Sequence, residues 1–394
     1  MAGGIGSRFW PMSTEERPKQ FLDVLGKGKT LIRMTADRLR KVVPENQIYV
    51  MTNAKYADLV QEQTGLHSSQ ILKEPMMKNT APCIAYAAHK IYQLNPEANL
   101  IVAPSDHLIA LEDEFVSIIE TAIDTAVKND AIVTLGIKPS RPDTGYGYIQ
   151  FEGDAVLGEP KKVKCFTEKP DLENAKRFLD SGDFYWNSGI FIWSCETILG
   201  ALKMYQPELN AHFTSELYNG DKEQEFVNSA FEACESISVD YAILEHANNV
   251  HVVLSDFGWS DLGTWGSLYT HLQQDQNGNA LVGGTFDVHE STGNIVHLPS
   301  NKLAYLHGLN DCIVVESDKV LMVIQKENEQ LIKEYSKMMK DPAKSGNIQL
   351  DGQSSISMSP SKRALVQGLS DYVIVEESDR LIIATKAFFE QINN

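Results

Sequence analysis

Along the first two-thirds of the chain, short runs of β-branched and apolar residues alternate with longer stretches whose apolar positions recur at helical spacing. Residues 47–52, 99–103 and 131–137 read as strands, and residues 31–42, 82–94 and 115–128 read as amphipathic helices. Such alternation predicts an α/β fold, a doubly wound and mainly parallel mixed sheet with helices on both faces. Ligands are then expected beyond the carboxyl ends of the strands. From about Asn277 the helical period fades, and short strands with Gly and Asn turns take over, as in Val282-Gly283-Gly284-Thr285 and Thr292-Gly293-Asn294-Ile295-Val296. The expected organisation is an α/β domain over 1–270, a small β domain over 277–340 and a further β unit over 341–394.

That last unit is a repeat. Lys302-Leu303-Ala304 through Gly308-Leu309-Asn310-Asp311-Cys312 to Asp318 recurs as Lys362-Arg363-Ala364 through Gly368-Leu369-Ser370-Asp371-Tyr372 to Asp379. Thr292-Gly293-Asn294-Ile295 reads as the counterpart of Ser345-Gly346-Asn347-Ile348. Stacked copies of one β unit are expected, because stacking buries faces that a single copy leaves open.

Composition narrows the chemistry. The 394 residues carry a net charge of −18, which disfavours binding to nucleic acid or to an anionic membrane surface. The five cysteines form no C-x-x-C pair, so neither a zinc ribbon nor a disulfide framework is indicated. No apolar run reaches membrane-spanning length and no basic leader precedes one, so a cytoplasmic location is the expectation.

Two motifs near the start carry the most information. Gly3-Gly4-Ile5-Gly6-Ser7-Arg8 offers bare backbone N–H groups to an anion, and Arg8 and Lys19 add full positive charge. The ligand expected there is a polyphosphate. A dinucleotide fingerprint would need glycine where Phe9 stands, and a P-loop ending at Gly28-Lys29-Thr30 would need glycine where Asp23 stands. Taken alone, the loop is as readily a simple turn.

Together, Gly3-Gly4-Ile5-Gly6-Ser7-Arg8-Phe9-Trp10-Pro11 and Pro18-Lys19-Gln20-Phe21-Leu22 resemble the signature of sugar-1-phosphate nucleotidylyltransferases, and in detail their mannose-1-phosphate guanylyltransferase branch. The resemblance reaches about Lys340. It implies a Rossmann-like nucleotidyltransferase domain and a left-handed β-helix-like module that aids association, with a homodimer as the expected assembly. It also implies a short apolar strand ahead of the glycine loop; the chain opens on the loop itself, so a first strand cut short is expected.

Further residues take roles from the same resemblance. Asp106, in Val102-Ala103-Pro104-Ser105-Asp106-His107, and Asp261, in Gly258-Trp259-Ser260-Asp261-Leu262-Gly263, match the positions that hold Mg²⁺. Read by themselves, both aspartates are more simply turn or capping residues. Lys169 would hold the sugar phosphate, with Gly145, Glu168 and Asn187 around the sugar. Glu74, Asn79 and Thr80 match the base-reading stretch, where capping of the helix near Pro82 is an equally good account. Asp240, in Val239-Asp240-Tyr241, reads most simply as a cap.

The expectation is therefore a Mg²⁺-dependent transfer of GMP from GTP to mannose 1-phosphate. Arg8, Lys19, Asp106 and Lys169 would be catalytic, and Gly3, Gly4, Gly6 and Ser7 would line the nucleotide. Two alternatives stand beside it: a nucleotidylyltransferase for another sugar or base, and a non-catalytic protein that binds nucleotide sugars. No nucleophile elbow or reactive-cysteine signature suggests a covalent intermediate.

Overall fold

A computed structural model of the chain describes residues 1–341 and 346–392. It divides into two compact units, one of Met1–Gly3 with Ile32–Asp261 and one of Gly4–Leu31 with Leu262–Asn394.

The first unit is built on a six-stranded mixed sheet in the order β3-β8-β5-β9-β7-β6. Its strands are β3 (Asn99–Val102), β5 (Ile132–Ile137), β6 (Gly147–Phe151), β7 (Pro160–Glu168), β8 (Phe184–Ser194) and β9 (Val250–Ser255). The β5–β9 ladder is parallel, and the ladders of β8 with β3 and β5 and of β7 with β6 and β9 are antiparallel. All six residues of β5 are buried, as a central strand covered on both faces requires. Its alternating side chains serve two cores. Val133, Leu135 and Ile137 pack on the Glu112–Asn129 helix with Phe115 and Ile119. Ile132 joins the opposite core with Ala85, Trp193 and Ile198, from β8 and the helices Thr80–Leu94 and Cys195–Tyr205. Each large apolar side chain so buried contributes about 1.5–3 kcal/mol.

Two short pairs complete this unit: β1 (Val50–Asn53) runs parallel to β2 (Ile71–Glu74), and β4 (Leu108–Ile109) antiparallel to β10 (Trp259–Ser260). Met1 and Ala2 are tied on both sides. The terminal ammonium donates to the Ala103 carbonyl at 2.8 Å and Ser105 N–H to the Met1 carbonyl at 3.0 Å, while Ala2 N–H donates to Met51 O at 2.7 Å.

Element boundaries differ from the sequence pattern where local chemistry intervenes. The strand expected from position 47 begins at Val50, because Glu45–Gln47 closes a 3₁₀ turn after Pro44. The helix expected from Pro82 begins at Thr80, because the Asn79 side chain accepts the Thr80 N–H at 2.9 Å.

The second unit holds two further sheets. One has the order β11-β13-β15-β16-β19-β17 and the other β12-β14-β21-β20-β18. Here β11 is Ala280–Val282, β12 Thr285–His289, β13 Ile295–His297, β14 Leu303–His307, β15 Cys312–Glu316 and β16 Val320–Gln325. The remaining strands are β17 (Ile348–Leu350), β18 (Ser355–Ser357), β19 (Arg363–Gln367), β20 (Tyr372–Glu376) and β21 (Arg380–Thr385). The ladders β11–β13–β15 and β12–β14 are parallel and β-helix-like, whereas β15–β16 and β20–β21 are antiparallel hairpins.

One sequence alignment is corrected by these pairings. The counterpart of Thr292 is Gln353: Thr292 O accepts from Asp311 N–H and Gln353 O from Asp371 N–H, both at 3.0 Å. Gly346 and Asn347 instead precede β17, the strand equivalent to β12, and Ser345 lies outside the described residues. A short Ser-Gly-Asn match misled because turn residues recur at unrelated strand starts.

Candidate active site

The site is shaped by an irregularity between β5 and β8. Thr134 faces Phe191 and Gly136 faces Asn187, so β8 advances four residues while β5 advances two. The surplus pushes Ser188 and Gly189 out of the ladder, with Gly189 at φ 71°, a left-handed conformation that suits glycine. Gly136 is required opposite, since a Cβ there would lie 2.6 Å from Val252 Cγ2. Asn187 is fixed at this bulge. Its Oδ1 accepts from Thr134 Oγ1 at 2.8 Å and its Nδ2 donates to Asp240 Oδ1 at 3.0 Å.

Beside the bulge lies a cavity of about 220 Å³ lined by Gly145, Glu168, Asn187, Asp240, Trp259 and Asp261, among others. Four residues named from the sequence, Gly145, Glu168, Asn187 and Asp261, thus meet in one place. Glu168 ends β7 opposite Gly147, whose missing side chain leaves room for it: a Cβ on Gly147 would lie 2.5 Å from Glu168 Oε2. Lys169 follows with φ 48°, its ammonium paired with Glu168. Burial pulls the Lys169 pKa down, but the hydrogen bond to Glu168 and the nearby Asp240 charge outweigh it, and the pKa is held above the ordinary lysine value.

Asp261 closes the cavity on another side, where its Oδ1 accepts the Tyr146 hydroxyl at 2.6 Å. Burial and the Asp261 charge raise the Tyr146 pKa, so the phenol stays protonated and donates. Trp259 Nε1 donates to His107 Nδ1 at 3.1 Å, which leaves the His107 proton on Nε2. Asp106 and Asp261 both lie just beyond the same end of the β4–β10 ladder, Asp106 two residues before Leu108 and Asp261 directly after its partner Ser260. No group of three or more His, Cys, Asp or Glu side chains arranged for a metal occurs among the described residues. Mg²⁺ asks for less, since one or two carboxylates suffice when water and phosphate fill its other positions.

Asp240 was missed. It opens a π-helical turn, Asp240–Leu244, and its carboxylate caps no helix end there; it reaches Asn187 instead. Burial, followed by repulsion from Glu168, pushes its pKa up to about 6. Tyr146 and Trp259 were missed too. The sequence signal that hints at Asp240 is an acidic residue inside the mostly apolar run Ile237 to Leu244.

The remaining residues fall elsewhere. Gly3 lies over Glu74, a Cβ on it being 3.6 Å from Glu74 Oε2, and burial raises the Glu74 pKa. Asn79 is exposed and caps the Thr80–Leu94 helix, while Thr80 Oγ1 accepts Val239 N–H at 2.8 Å. Gly4, Gly6, Ser7, Arg8 and Lys19 belong to the second unit. There Lys19 is buried, its Nζ donates to Leu262 O at 3.3 Å, and its N–H donates to Ile5 O at 3.1 Å, which packs the glycine loop onto it. Gly6 has φ 68°, and a Cβ on it would collide with the Lys19 Cβ.

Comparison with known proteins bears on this geometry. Residues 1–278 match the nucleotidyl transferase family. The alginate biosynthesis protein AlgA of Pseudomonas aeruginosa is 36% identical over 344 residues, 86% of this chain and 70% of that one. A mannose-1-phosphate guanylyltransferase of Sinorhizobium fredii is 34% identical over 82% of this chain, which spans 64% of that relative's length. Among solved structures, a protein described as mannose-1-phosphate geranyltransferase from Thermus thermophilus has a TM-score of 0.77 at 26% identity, covering 86% of this chain and 98% of its own. No helix of the described residues is long and apolar enough to cross a membrane.

Proposed function

The chain belongs to the nucleotidyl transferase family, and from that premise we propose that it transfers GMP from GTP to mannose 1-phosphate, giving GDP-mannose and pyrophosphate. The observation that carries this reading is the cavity at the β5–β8 bulge. Its volume of about 220 Å³ suits one sugar, and Glu168, Asn187 and Asp240 offer the carboxylates and amide that hydroxyl groups need. Relatives named for guanylyl transfer to mannose 1-phosphate support the choice of both substrates.

The attacking group is a phosphate oxygen of the sugar phosphate, already anionic, so no general base is required. A bond forms from that oxygen to the α-phosphorus of GTP as the bond to pyrophosphate breaks, and the departing anion takes the electron pair. What the protein supplies is position and charge. Lys169 would hold the sugar phosphate against rotation. Arg8, Lys19 and the backbone N–H groups of Gly3, Gly4, Gly6 and Ser7 would take the triphosphate, and Glu74, Asn79 and Thr80 the base. Asp106 and Asp261 would hold Mg²⁺, which when bound supplies neutralisation of the reacting phosphates. Tyr146, by donating to Asp261, would fix the orientation of that carboxylate.

Pyrophosphate release from each nucleoside triphosphate in turn, with Mg²⁺ and mannose 1-phosphate, tests the reading. The fastest release is expected with GTP. Faster release with another nucleotide or another sugar 1-phosphate would reassign the substrate, and tight binding without release would make the protein a binder only.

A further inference from the structure

From Lys302 to Gln325 the two tail repeats correspond at a spacing of 60 positions, and the ladders joining them come in equivalent pairs. In one sheet β16 of the first repeat runs parallel to β19 of the second, Val320 facing Arg363 and Val323 facing Val366. In the other sheet β14 of the first runs parallel to β21 of the second, Leu303 facing Arg380 and Leu306 facing Ile383. Exchanging the two repeats turns each ladder into the other. Each repeat thus sends its hairpin across to the partner's sheet, and the copies are interlocked rather than stacked.

The side chains obey the same exchange. A Cβ on Gly308 would meet Thr385 Cγ2 at 2.7 Å, and one on Gly368, its counterpart, would meet Gln325 Cγ at 2.7 Å. The shared core holds Ala304 with Ala364, Leu309 with Leu369, and Val323 with Ile383. At its edge sits a buried quartet of charges. Lys302 contacts Glu316 at 2.7 Å and Glu376 at 2.6 Å; Lys362 contacts Glu376 at 3.2 Å and pairs more closely with Glu316. Both glutamate side chains are fully buried and Lys302 is 1% exposed. Burial alone would raise the Glu376 pKa, but hydrogen bonds from Lys302, Ser359 and Lys362 outweigh it and hold it at about 2, so the group is charged.

A contact in which residue i of one copy meets j of the other, and j meets i, is the signature of a two-fold interface between identical subunits. Here both copies belong to one chain. We propose that residues 346–392 occupy the place that a second copy of residues 285–325 would take, so that the self-complementary face of this module is filled within the chain. Without that filling, β14 and β16 would be open sheet edges, and Lys302 and Glu316 would each lose half of their buried partners. The association between subunits expected of this module is thereby taken up internally, and the module joins no second chain.

Charge inversion in one repeat tests this on the full chain. Lys362→Glu with Glu376→Lys keeps opposite charges within the second repeat but sets like charges across the repeats. First repeat to first repeat and second to second, between two chains, remain matched. Light scattering with size exclusion is expected to give the mass of one chain for the wild type and twice that for the double variant. Adding Lys302→Glu and Glu316→Lys restores every cross-repeat pair and should return the single-chain mass. A wild type that is a dimer and is split by the double variant would overturn the proposal, because the face would then lie between chains. So would a double variant that stays single with unchanged melting. If the double variant melts lower by about 5 °C or more without associating, recovery of melting in the quadruple variant supports the internal pairing and failure to recover rejects it.

Discussion

Opposing demands meet at Asp240. Its carboxylate accepts from Asn187 at 3.0 Å, yet burial and Glu168 hold its pKa at about 6, above that of an exposed aspartate. A raised acid pKa means the folded state binds the proton more tightly than the unfolded chain, so the stabilisation is complete below about pH 4 and is lost as pH rises through about 6. Asp240→Asn removes the charge and keeps an oxygen for Asn187. It should melt higher than wild type at pH 8, by an amount on the order of 2 kcal/mol, with the difference closing toward pH 4. Melting curves for both proteins across that range check this, and parallel curves would reject it. The two metal candidates give a second test at this scale. Asp106→Asn or Asp261→Asn should each lower turnover by roughly 10²-fold or more with the fold intact, and EDTA should abolish pyrophosphate release. Near-wild-type rates in both would remove the metal assignment. Asp261 was legible only through the family motif around it, and the apolar setting of Asp240 hinted at burial but not at a site. What makes Asp240 a cavity residue is a bulge in β8 more than fifty positions away, and spacing along one chain carries no trace of that.

Glycines decide geometry at the level of elements. Gly6 needs both its positive φ and its missing side chain, because Lys19 packs against it, whereas Gly65, at φ 74° after the Ala57–Thr64 helix, has nothing within 4 Å of where a Cβ would stand. Gly65→Ala should therefore cost only the backbone penalty, about 1 kcal/mol. Gly6→Ala should cost more and also raise the KM for GTP, since the collision displaces Lys19 and the loop together. Equal melting losses and an unchanged KM would show that the loop tolerates a side chain. Within the glycine-rich run this demand falls on Gly6, whereas Gly4 has nothing within 4 Å of where a Cβ would stand. Strand and helix existence was legible through the alternation that gives β5 two cores. Boundaries shifted where a cap or a 3₁₀ turn intervened, as at Asn79 and Gln47. The tail repeat could be read, but not its interlocking, because hairpin exchange depends on which open edge lies nearest in space and not on local pattern.

The two candidate phosphate grips belong to different units of the chain. Lys169 belongs to the unit of Ile32–Asp261 and Arg8 to the unit of Gly4–Leu31 with Leu262–Asn394. The two cations differ in setting: Lys169 is paired with Glu168 at the end of β7, and Arg8 is exposed in the short Ser7–Phe9 turn. Two reacting anions need two distinct cations, since one charge cannot hold both in line without drawing them out of alignment. Lys169→Ala should therefore weaken mannose 1-phosphate binding at least tenfold and leave GTP affinity within about twofold. Arg8→Ala should do the reverse. Neither change opens a core, because both side chains end at the surface, so melting temperatures should stay near wild type and any loss of affinity reads as lost contact. Calorimetric titration of each ligand into each variant gives four affinities. Equal losses for both ligands in both variants would mean that the cations act on a common anion, and the division of roles between the two motifs would fall.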